Sequence, residues 1–600
     1  MSHLLPSSQA RTVAHITHEA VYKVGGIGAV LEGLLTSEPY RTSQLRTILI
    51  GPLFPSEGGG ESRLGECGEV LYSSIDGLVR QPQVAEALAH VRREFHVEIV
   101  YGHVAINNSH NAGRVTPEVV LIDVSRMDLR KANEFKAGLW EAFGIDSLKY
   151  EHSWEYDLYV KLAQPALAAL HALGAAARPR QCVIVAHEWM GLPTVLATRW
   201  DESGAFRTIF HAHEVATVRP IVEHHPGHDL TFYNVLEDAL AHGRYLDDVF
   251  GPQDHYYRHV LVKAAANCDK ILAVGDYVER ELRFLGPEMA EADIEIAYNG
   301  IPAERITLEQ HQESRDRLRA YAQSLLGDRP DYVFTHVTRN ITSKGLWRDL
   351  RVLEHLEPMF RRQGKSAVLF VLSTEMPQRG PEEVARMEQE WGWPLAHREK
   401  DPDLSYGEAI YYTGVQQLNA RSRQIKVVFV NQFGWSRDLC GRLMPADMAL
   451  LDVRRGSDVE FGQSVYEPFG IAHLEPLTYG GICVVSRVCG CTGLLQRLTG
   501  GVYPPNLIVA EYDKSRLEYR TERDWLAISR RDRHEHEVRV AADVAARLMD
   551  ALPTDEESAR SLLERGYQLA SKMSWDVVAR GFFLPAIDSL CPPWPQIRVA

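Results

Sequence analysis

Short runs rich in valine and isoleucine alternate with longer segments of helical period along most of this chain. This alternation predicts parallel β-sheets wrapped by helices, which is an α/β fold. The first series of candidate strands comprises TVAHIT, RTILIG, VEIVYG, EVVLIDV, CVIVAHEW, RTIFHAHE, KILAVG and IEIAYNG. A second series follows a charged helical segment and comprises YVFTHVTR, AVLFVLST, KVVFVNQF, MALLDVR and ICVVSR.

The two series predict two domains. A chain of 600 residues is longer than one hydrophobic core usually serves. We therefore expect two doubly wound domains facing a cleft, residues 1–305 and 306–570, with an insertion at about residues 375–424. In such sheets, ligands bind beyond the carboxyl ends of the strands, so the loops that follow the strands are expected to carry the chemistry.

Charge and cysteine pattern argue against several other classes of protein. The net charge of −15 is unfavourable for a broad nucleic-acid or anionic-membrane surface. No apolar run reaches the roughly 18 residues of a membrane span, and the N-terminus has no signal-peptide core. The eight cysteines show no paired metal-ligand spacing, which is typical of a reduced, cytoplasmic protein. The histidine cluster EHHPGH could hold a metal ion, although a polar loop is the favoured interpretation.

A glycine-rich loop, KVGGIG, follows the first candidate strand and precedes a helical segment. Gly25 and Gly26 would let the backbone approach a ligand, and the helix N-terminus would offer free N–H groups to an anion. Lys23, two residues before the glycines, favours a phosphate or a sugar hydroxyl nearby. A tight turn without a ligand is the alternative.

Two cations lie five residues apart in the loop VTRNITSKG, after the first strand of the second series. If Arg339 and Lys344 both point into the cleft, they place two positive charges near one position, as a leaving diphosphate requires. Two solvated surface cations are the alternative.

The stretch YEPFGIAHLE places Glu467 before a predicted turn and Glu475 inside the helix that follows it. Gly470 is expected to start that helix, so that the first backbone N–H groups, including those of Phe469 and Ile471, can donate to a phosphate. Glu467 could then reach a sugar, and Glu475 could accept hydrogen bonds from a ribose. A plain helix start is the other interpretation.

Polar residues also end two strands of the first series, in AHEW and FHAHE. A histidine at the end of a strand that faces a cleft can bind sugar hydroxyls. A structural histidine with its hydrogen bonds satisfied is an equally common explanation.

Taken in this order, the motifs resemble those of the glycogen and starch synthases, retaining glycosyltransferases of the two-Rossmann GT-B architecture. KVGGIG is similar to the lysine–glycine loop of that family, TRNITSKG to its Arg-Lys phosphate loop and YEPFGIAHLE to its motif of two glutamates. MSWDVVARGFFL resembles the closing helix, which implies that residues 571–600 cross back to the N-terminal domain.

The resemblance implies roles for individual residues. Arg339 and Lys344 match the diphosphate clamp, Glu467 the sugar site and Glu475 the ribose contact. His211 aligns with the histidine that contacts the sugar, although His213 is only two residues away. The implied substrate contacts are completed by Lys23, Gly25, Gly26, Glu188, Asn299, Phe469, Gly470 and Ile471.

The donor base stays open between ADP-, UDP- and GDP-glucose. The spacing of Arg339 and Lys344 resembles that of the bacterial and plant enzymes, which use ADP-glucose. AHEWMGLPTVLATR, DLTFYNVL and YYRHVLVKAAANCDKILAVGDYV are more similar to the animal and fungal enzymes, which use UDP-glucose. Ala29 stands where the bacterial motif has an aspartate, and VVSRVCGCTGLL replaces the usual glycine pair.

The implied function is transfer of glucose from a nucleotide sugar to the non-reducing end of an α-1,4-glucan, with retention. No cofactor and no metal ion are expected, because Arg339, Lys344 and a helix N-terminus would neutralise the diphosphate. A small sugar or sugar phosphate as acceptor is the first alternative, and a non-catalytic glucan-binding protein the second. A phosphorylase is disfavoured because no pyridoxal-phosphate lysine motif is found. The oligomeric state is left open.

Overall fold

The computed structural model describes residues 10–23, 25–54, 59–65, 67–110, 113–514 and 521–592. Val24 of the glycine loop and residues 593–600 of the C-terminal segment lie outside the described residues. The chain divides into two compact units. The first comprises Met1–Val218, Gly243–Gly300 and Trp575–Ala600, and the second comprises Arg219–His242 and Ile301–Ser574.

The first unit is built on a sheet that has ten strands within the described residues, in the order β12-β11-β10-β9-β1-β2-β8-β5-β3-β4. The seven strands from β12 to β8 in this order are parallel, and β5, β3 and β4 extend the sheet in antiparallel fashion. A separate hairpin pairs β6 with β7. The strands are β1 Thr12–Ile16, β2 Arg46–Pro52, β3 Glu69–Ser73, β4 Leu78–Val79, β5 Glu98–His103, β6 Ile106–Asn107, β7 Arg114–Val115, β8 Glu118–Asp123, β9 Cys182–His187, β10 Phe206–Ala212, β11 Lys270–Ala273 and β12 Ile294–Ile296.

The second unit has a fully parallel sheet of six strands among the described residues, in the order β15-β14-β13-β16-β17-β18. Strand β14 is buried along its whole length, which explains its continuous apolar sequence AVLFVL. The predicted α/β class is therefore confirmed in both units. The strands are β13 Tyr332–Val337, β14 Ala367–Leu372, β15 Ile425–Val430, β16 Val459–Gly462, β17 Ile482–Ser486 and β18 Leu507–Ala510.

One predicted strand of this sheet is wrong. The run MALLDVR, assigned to a strand, contains the helix Leu450–Gly456, and the strand is the next segment, Val459–Gly462. A short apolar run does not distinguish a buried strand from one buried turn of helix. Asp452 stabilises the helix, because its carboxylate accepts a hydrogen bond from the N–H of Ala449 and so caps the helix.

Helices connect the strands and cover the sheets. The long helix Leu308–Leu326 illustrates the local rules: Thr307 and Gln310 form a reciprocal capping box at its start, and Gly327 ends it with a left-handed φ of 85°. The α-helices are α1 Gly26–Thr36, α2 Glu38–Thr42, α3 Pro82–Phe95, α4 Leu129–Phe143, α5 Trp154–Ala172, α6 Glu188–Ala197, α7 Val218–His224, α8 His228–Ala241, α9 Leu246–Phe250, α10 Tyr257–Ala264, α11 Asp276–Phe284, α12 Pro287–Glu291, α13 Leu308–Leu326, α14 Leu346–Gln363, α15 Pro381–Trp391, α16 Tyr406–Arg421, α17 Arg437–Cys440, α18 Leu450–Gly456, α19 Ile471–Leu474, α20 Cys491–Thr499, α21 Glu522–Leu526, α22 Arg530–Ala551, α23 Glu556–Ala570, α24 Trp575–Val578 and α25 Leu584–Leu590. None of the described helices combines the length and the apolar character needed to cross a membrane.

The region predicted as an insertion, residues 375–424, contains α15 and α16. Helix α16 connects β14 to β15, and its Tyr411, Val415 and Leu418 belong to the main hydrophobic core of the second unit. This part of the region is therefore the crossover helix that a parallel strand pair requires, and the additional material lies before it.

Residues 575–592 pack into the first unit. A Cβ atom on Gly33 of α1 would lie 2.1 Å from the indole of Trp575, and a Cβ atom on Gly300 would lie 2.6 Å from it. Phe583 and Ile587 belong to the hydrophobic core of the same unit. The indole thus needs a glycine at both positions.

Candidate functional site

In the second unit, two loops meet at the carboxyl edge of the sheet, because β13 and β16 are neighbouring parallel strands. The loop after β13 contains a 3-10 turn, Thr342–Lys344, and the loop after β16 leads to Glu467. The backbone carbonyl of Ser343 accepts hydrogen bonds from the N–H groups of Val465 and Tyr466, at 2.8 and 3.2 Å. These hydrogen bonds connect the two loops.

Lys344 and Glu467 form an ion pair at this junction. The Nζ atom lies 2.5 Å from Oε2 of the carboxylate, and each side chain is 11% exposed. Burial by itself opposes ionisation of Glu467, but the charge and the hydrogen bond of Lys344, together with the charge of Arg219, outweigh it and lower its pKa to about 2. The carboxylate is therefore ionised at every physiological pH.

His473 and two glycines pack around this carboxylate. The Nε2 atom of His473 lies 3.8 Å from Glu467 Oε2, and burial lowers the pKa of the imidazole to about 3, so the ring is neutral. A Cβ atom on Gly462 would lie 2.3 Å from the ring of His473. At Gly470 the φ angle is 89°, and a Cβ atom would lie 2.7 Å from Sγ of Cys489. Only glycine fits either position without displacing its neighbours.

The Cys-Gly-Cys sequence lies against the Glu467 turn. The backbone N–H of Gly490 donates to the carbonyl of Glu467, and the Sγ atom of Cys489 lies 3.0 Å from the carbonyl of Phe469. A Cβ atom on Gly490 would lie 1.7 Å from the carbonyl oxygen of Pro468. The segment that departs from the family pattern therefore supports the turn that carries Glu467.

The sequence analysis missed a cation at this site, Arg219. Its guanidinium donates to Oγ of Ser343 at 3.2 Å and lies 5.3 Å from the ring centre of Tyr466. Its charge also helps to lower the pKa of Glu467. Arg219 is remote in sequence from both loops, and it begins a segment, Arg219–His242, that belongs to the second unit. No local pattern could have revealed this placement.

Arg339 differs from Lys344 in its surroundings. Its side chain is exposed, and it forms no ion pair with any carboxylate that the structure describes. The structure thus brings Lys344 together with Glu467, while Arg339 stays available to solvent on the same loop. Their joint action on one group remains a prediction.

Glu475 lies at the start of a 3-10 turn, Glu475–Tyr479, which directly follows α19. Its Oε2 atom lies 2.7 Å from Nε of Arg454, which also lies 3.5 Å from Glu460. Arg454 is buried, so Glu475 serves as a counter-ion for it. The predicted ribose contact would have to use the remaining acceptor capacity of this carboxylate.

In the first unit, the expectation of free N–H groups in the glycine loop is wrong in part. The carboxylate of Glu19 accepts hydrogen bonds from the N–H groups of Gly25 and Gly28, at 2.7 and 3.0 Å. An acidic side chain of the protein itself therefore binds the start of α1, where we expected an anionic ligand. At Gly26, no atom of the described residues lies within 4 Å of the position of an added Cβ atom. Lys23 is half-exposed and forms an ion pair with Glu32 at 2.9 Å.

Four histidines gather at the carboxyl ends of β1, β9 and β10. His187 and His211 are register partners on neighbouring strands, and His213 follows His211 by two residues. The Nδ1 atom of His187 lies 2.9 Å from Nε2 of His213, and its Nε2 atom lies 2.8 Å from Nδ1 of His15. Burial lowers the pKa of His211 to about 3 and holds the others below their usual value as well.

Glu188 and Asn299 are both buried. Glu188 has a left-handed φ of 62°, and its carboxylate accepts a hydrogen bond from the N–H of Glu214 at 2.6 Å. Asn299 directly precedes Gly300, where Trp575 packs. Glu188 therefore joins the end of β9 to the loop after β10.

The EHHPGH segment forms structural contacts. Glu223 accepts a hydrogen bond from the N–H of Ser343, His225 bonds to the carbonyl of Leu526, and His228 bonds to the carbonyl of Val222. Among the described residues, the group whose ligand atoms lie close enough to hold a metal ion is a different one, His187, His211 and His213.

Chemically, the second unit thus offers a buried cation, a largely buried carboxylate and a neutral imidazole at the carboxyl edge of a parallel sheet. The first unit offers neutral imidazoles at the equivalent edge of its own sheet. Such edges are where open α/β sheets bind ligands. Four residues of these contacts were not predicted as site residues from the sequence: Glu19, Arg219, Arg454 and His473. Of the four, His473 alone lies within one of the proposed site motifs, YEPFGIAHLE.

No protein-family model matches the sequence, and the search of curated proteins finds no match. Several solved structures match nearly its whole length. Sucrose-phosphate synthase from Thermosynechococcus elongatus is 13% identical, with 97% of this chain and 100% of that chain covered and a TM-score of 0.51. The catalytic domain of starch synthase IV from Arabidopsis thaliana, bound to ADP and acarbose, is 14% identical, with 98% and 100% covered and a TM-score of 0.51.

A UDP-forming α,α-trehalose-phosphate synthase from Burkholderia xenovorans is 13% identical, with 97% of this chain and 99% of that chain covered and a TM-score of 0.50. At this level of identity, the likeness shows the fold. The chain is an α/β protein with two largely parallel sheets, and its fold is that of the GT-B glycosyltransferases.

Proposed function

We propose that this protein is a retaining glycosyltransferase that moves glucose from a nucleotide sugar to an acceptor hydroxyl, with the non-reducing end of an α-1,4-glucan as the favoured acceptor. The observation that carries the proposal is the largely buried pair of Lys344 and Glu467, with Arg219 beside it, at the carboxyl edge of a parallel sheet. Two cations thus lie close to one position at this edge, as a site that receives a diphosphate requires.

In this proposal Lys344 and Arg339 stabilise the departing diphosphate. The bond between C1 of glucose and the phosphate oxygen breaks, negative charge builds on that oxygen, and a new bond forms from the acceptor oxygen to the same face of C1. The acceptor proton leaves with the diphosphate. An ammonium group has three N–H donors, so Lys344 can bond to Glu467 and still donate to phosphate oxygens.

Glu467 is proposed to bind the sugar hydroxyls. Because its pKa is near 2, it acts as a hydrogen-bond acceptor and does not supply a proton at neutral pH. His473, a neutral imidazole beside it, positions this carboxylate. For the first unit we propose, from the sequence resemblance, that His211 or His213 binds a sugar hydroxyl.

A small sugar phosphate is the second candidate acceptor. It is favoured by the names of two of the structures with the same fold, a sucrose-phosphate synthase and a trehalose-phosphate synthase. The glucan acceptor is favoured by the sequence motifs and by the fold of a starch synthase. The two acceptors differ in product size.

A donor screen tests the proposal. The purified protein is incubated with ADP-, UDP- or GDP-glucose, radiolabelled in the sugar, together with glycogen, with free sugars or with sugar phosphates. Released nucleotide reports turnover, and the size of the labelled product reports the acceptor. We expect label in glycogen with one donor. Nucleotide release with none of the donors and acceptors, while glycogen binds, would support the non-catalytic alternative.

A further inference from the structure

The histidine cluster of the first unit contains a buried side chain whose polar atoms have no partner within the described part of the chain. His211 is 3% exposed, and neither of its ring nitrogens makes a hydrogen bond to a residue that the structure describes. Buried polar groups in proteins are almost always hydrogen-bonded, because a buried group without a partner loses its hydrogen bonds to water and gains none in return. Each such exception calls for an explanation, and an unpartnered imidazole beside two others is typical of a ligand site.

The neighbouring imidazoles are close enough to share one ligand with His211. One ring nitrogen from each of His187, His211 and His213 lies within 4.8 Å of the other two. The contact between His187 Nδ1 and His213 Nε2 measures 2.9 Å. Two nitrogens bound to one zinc ion at about 2.0–2.1 Å in tetrahedral geometry stand about 3.3 Å apart, so a movement of a few tenths of an ångström converts this pair into ligands.

We propose that His187, His211 and His213 form a binding site for a divalent transition-metal ion, of which Zn²⁺ is the best fit. Three neutral imidazoles suit zinc, cobalt, nickel or copper, whereas magnesium and calcium prefer oxygen ligands. These three residues were not predicted as metal ligands from the sequence, where EHHPGH was the histidine cluster considered for a metal ion.

The surroundings of His187 already have the arrangement of a metal ligand. If Nδ1 binds the ion, Nε2 carries the proton and donates to Nδ1 of His15 at 2.8 Å. His15 can then donate from its own Nε2 to the hydroxyl of Tyr40 at 3.3 Å, and Tyr40 contacts Thr47 at 3.0 Å. Metal-binding histidines almost always donate their second N–H in this way, which fixes the tautomer and the ring orientation.

The three proposed ligands differ in exposure. His187 and His211 are buried, but His213 is partly exposed. An ion would therefore enter the cluster beside His213. Since His211 and His213 are also the proposed sugar contacts, bound zinc is expected to lower transferase activity. The metal proposal itself does not rest on that activity.

Cobalt provides a direct test, because protein-bound Co²⁺ with nitrogen ligands absorbs visible light and substitutes for zinc. The full chain is freed of metal with EDTA, dialysed and titrated with Co²⁺. We expect visible absorption that saturates at about one ion per chain and disappears when an equal amount of Zn²⁺ is added. Zinc should also raise the melting temperature of the protein.

The variants separate this site from adventitious binding. His213→Ala, at the partly exposed ligand, is expected to lose the saturable absorption and the zinc-dependent rise in melting temperature. His15→Ala should weaken binding by about 10- to 100-fold through the orientation of His187. His90→Ala removes a histidine whose side chain is 75% exposed, and it should bind cobalt as the wild type does.

Two results would overturn the metal proposal. One is a wild type without saturable cobalt absorption, and the other is a His213→Ala variant that binds as well as the wild type. Either result leaves the transferase proposal intact, because that proposal is tested by nucleotide release in EDTA. Conversely, a protein without transferase activity that binds one cobalt ion through His213 would support the metal site alone.

Discussion

The ammonium of Lys344 lies 2.5 Å from the carboxylate of Glu467, although the two residues are far apart in sequence, and both side chains are nearly buried. Removing one partner of such a pair leaves a charge without compensation in a poorly solvated place. The pair therefore has consequences for stability that are independent of any proposed activity.

Lys344→Met should change how the free energy of unfolding depends on pH. In the wild type, the lowered pKa of Glu467 stabilises the folded state above about pH 4.5, and this contribution is lost only as the pH falls towards 2. Without the lysine, burial becomes the main effect and raises the pKa of Glu467 relative to the wild type. The stability lost in the variant should therefore be greater at pH 7 than at pH 4.

Denaturant unfolding between pH 4 and pH 8 measures this effect. We expect Lys344→Met to cost about 3 kcal/mol at pH 7. Lys365→Met, which removes a partly exposed lysine paired with Asp331 at 3.4 Å, is the matched control and should cost less than about 1 kcal/mol. Equal losses in the two variants at pH 7 would contradict the importance of the buried pair.

Arg339→Ala and Lys344→Ala should each lower kcat by about 10²- to 10³-fold, if the proposed donor chemistry holds. Charges beside the leaving oxygen stabilise the transition state more than the ground state, so kcat should fall more than KM changes. The double variant should lose less than the product of the single losses. Lys344→Arg should restore little, because a planar guanidinium does not replace a compact ammonium.

These values are obtained from steady-state rates with the donor found in the screen. Lys365→Ala serves as the control and should retain the kcat of the wild type. Wild-type kcat in both Arg339→Ala and Lys344→Ala would mean that the diphosphate is bound elsewhere.

Gly470→Ala should destabilise the second unit by more than its backbone conformation alone predicts. The φ angle of 89° costs a non-glycine residue about 1–2 kcal/mol, and the added Cβ atom would lie 2.7 Å from Sγ of Cys489. Gly500→Ala is the matched control, because its φ angle is 63° and no atom of the residues that the structure describes lies within 4 Å of the added atom. Denaturant unfolding of both variants isolates the steric part, and equal losses would refute it.

Trp575→Ala should cost about 2–4 kcal/mol and lower the solubility of the protein, since the indole fills the space between Gly33 and Gly300. Trp154→Ala removes an indole that is 67% exposed and should have little effect. A chain truncated after residue 574 should be less soluble still. A truncated chain with the melting temperature of the wild type would show that residues 575–592 add nothing to the first unit.

Treatment with EDTA should leave transferase activity unchanged or raise it. The proposed reaction uses Lys344 and Arg339 in place of a divalent cation, and zinc bound at His213 would inhibit. Activity is measured before and after EDTA and again with added Mg²⁺, Mn²⁺ or Zn²⁺. Activity that is lost in EDTA and restored by Mg²⁺ or Mn²⁺ would contradict this prediction.

The sequence predicted most strands of the two large sheets but missed β3, β4, β16 and β18. Strand β14 is predicted from its apolar run AVLFVL, whereas Val459–Gly462 is missed beside the helix Leu450–Gly456. The run MALLDVR is the more apolar of the two, since VEFG contains a glutamate, so the sequence favoured the wrong segment. Tertiary contacts decided what local propensity could not.

At the candidate site as well, individual residues are predictable from the sequence, but the contacts between them are not. Lys344 and Glu467 were each predicted from their own motif, but their direct pairing follows from the adjacency of β13 and β16, which no spacing reveals. Arg219 contacts a loop that is distant from it in sequence. Glu19 binds N–H groups that a ligand was expected to use. Sequence motifs predict candidate site residues, and the fold decides which of them form ion pairs with one another.

The packing of Trp575 against Gly33 and Gly300 also affects how the protein folds during its synthesis. During synthesis, domains usually fold in order as the chain emerges, at about 5–20 residues per second. Here the N-terminal unit lacks part of its core until residues 575–592 have been translated, and a segment of its neighbour, Arg219–His242, interrupts it. For most of its synthesis, the nascent chain therefore exposes an unfinished apolar surface, and its yield in a cell should depend on chaperones that cover it.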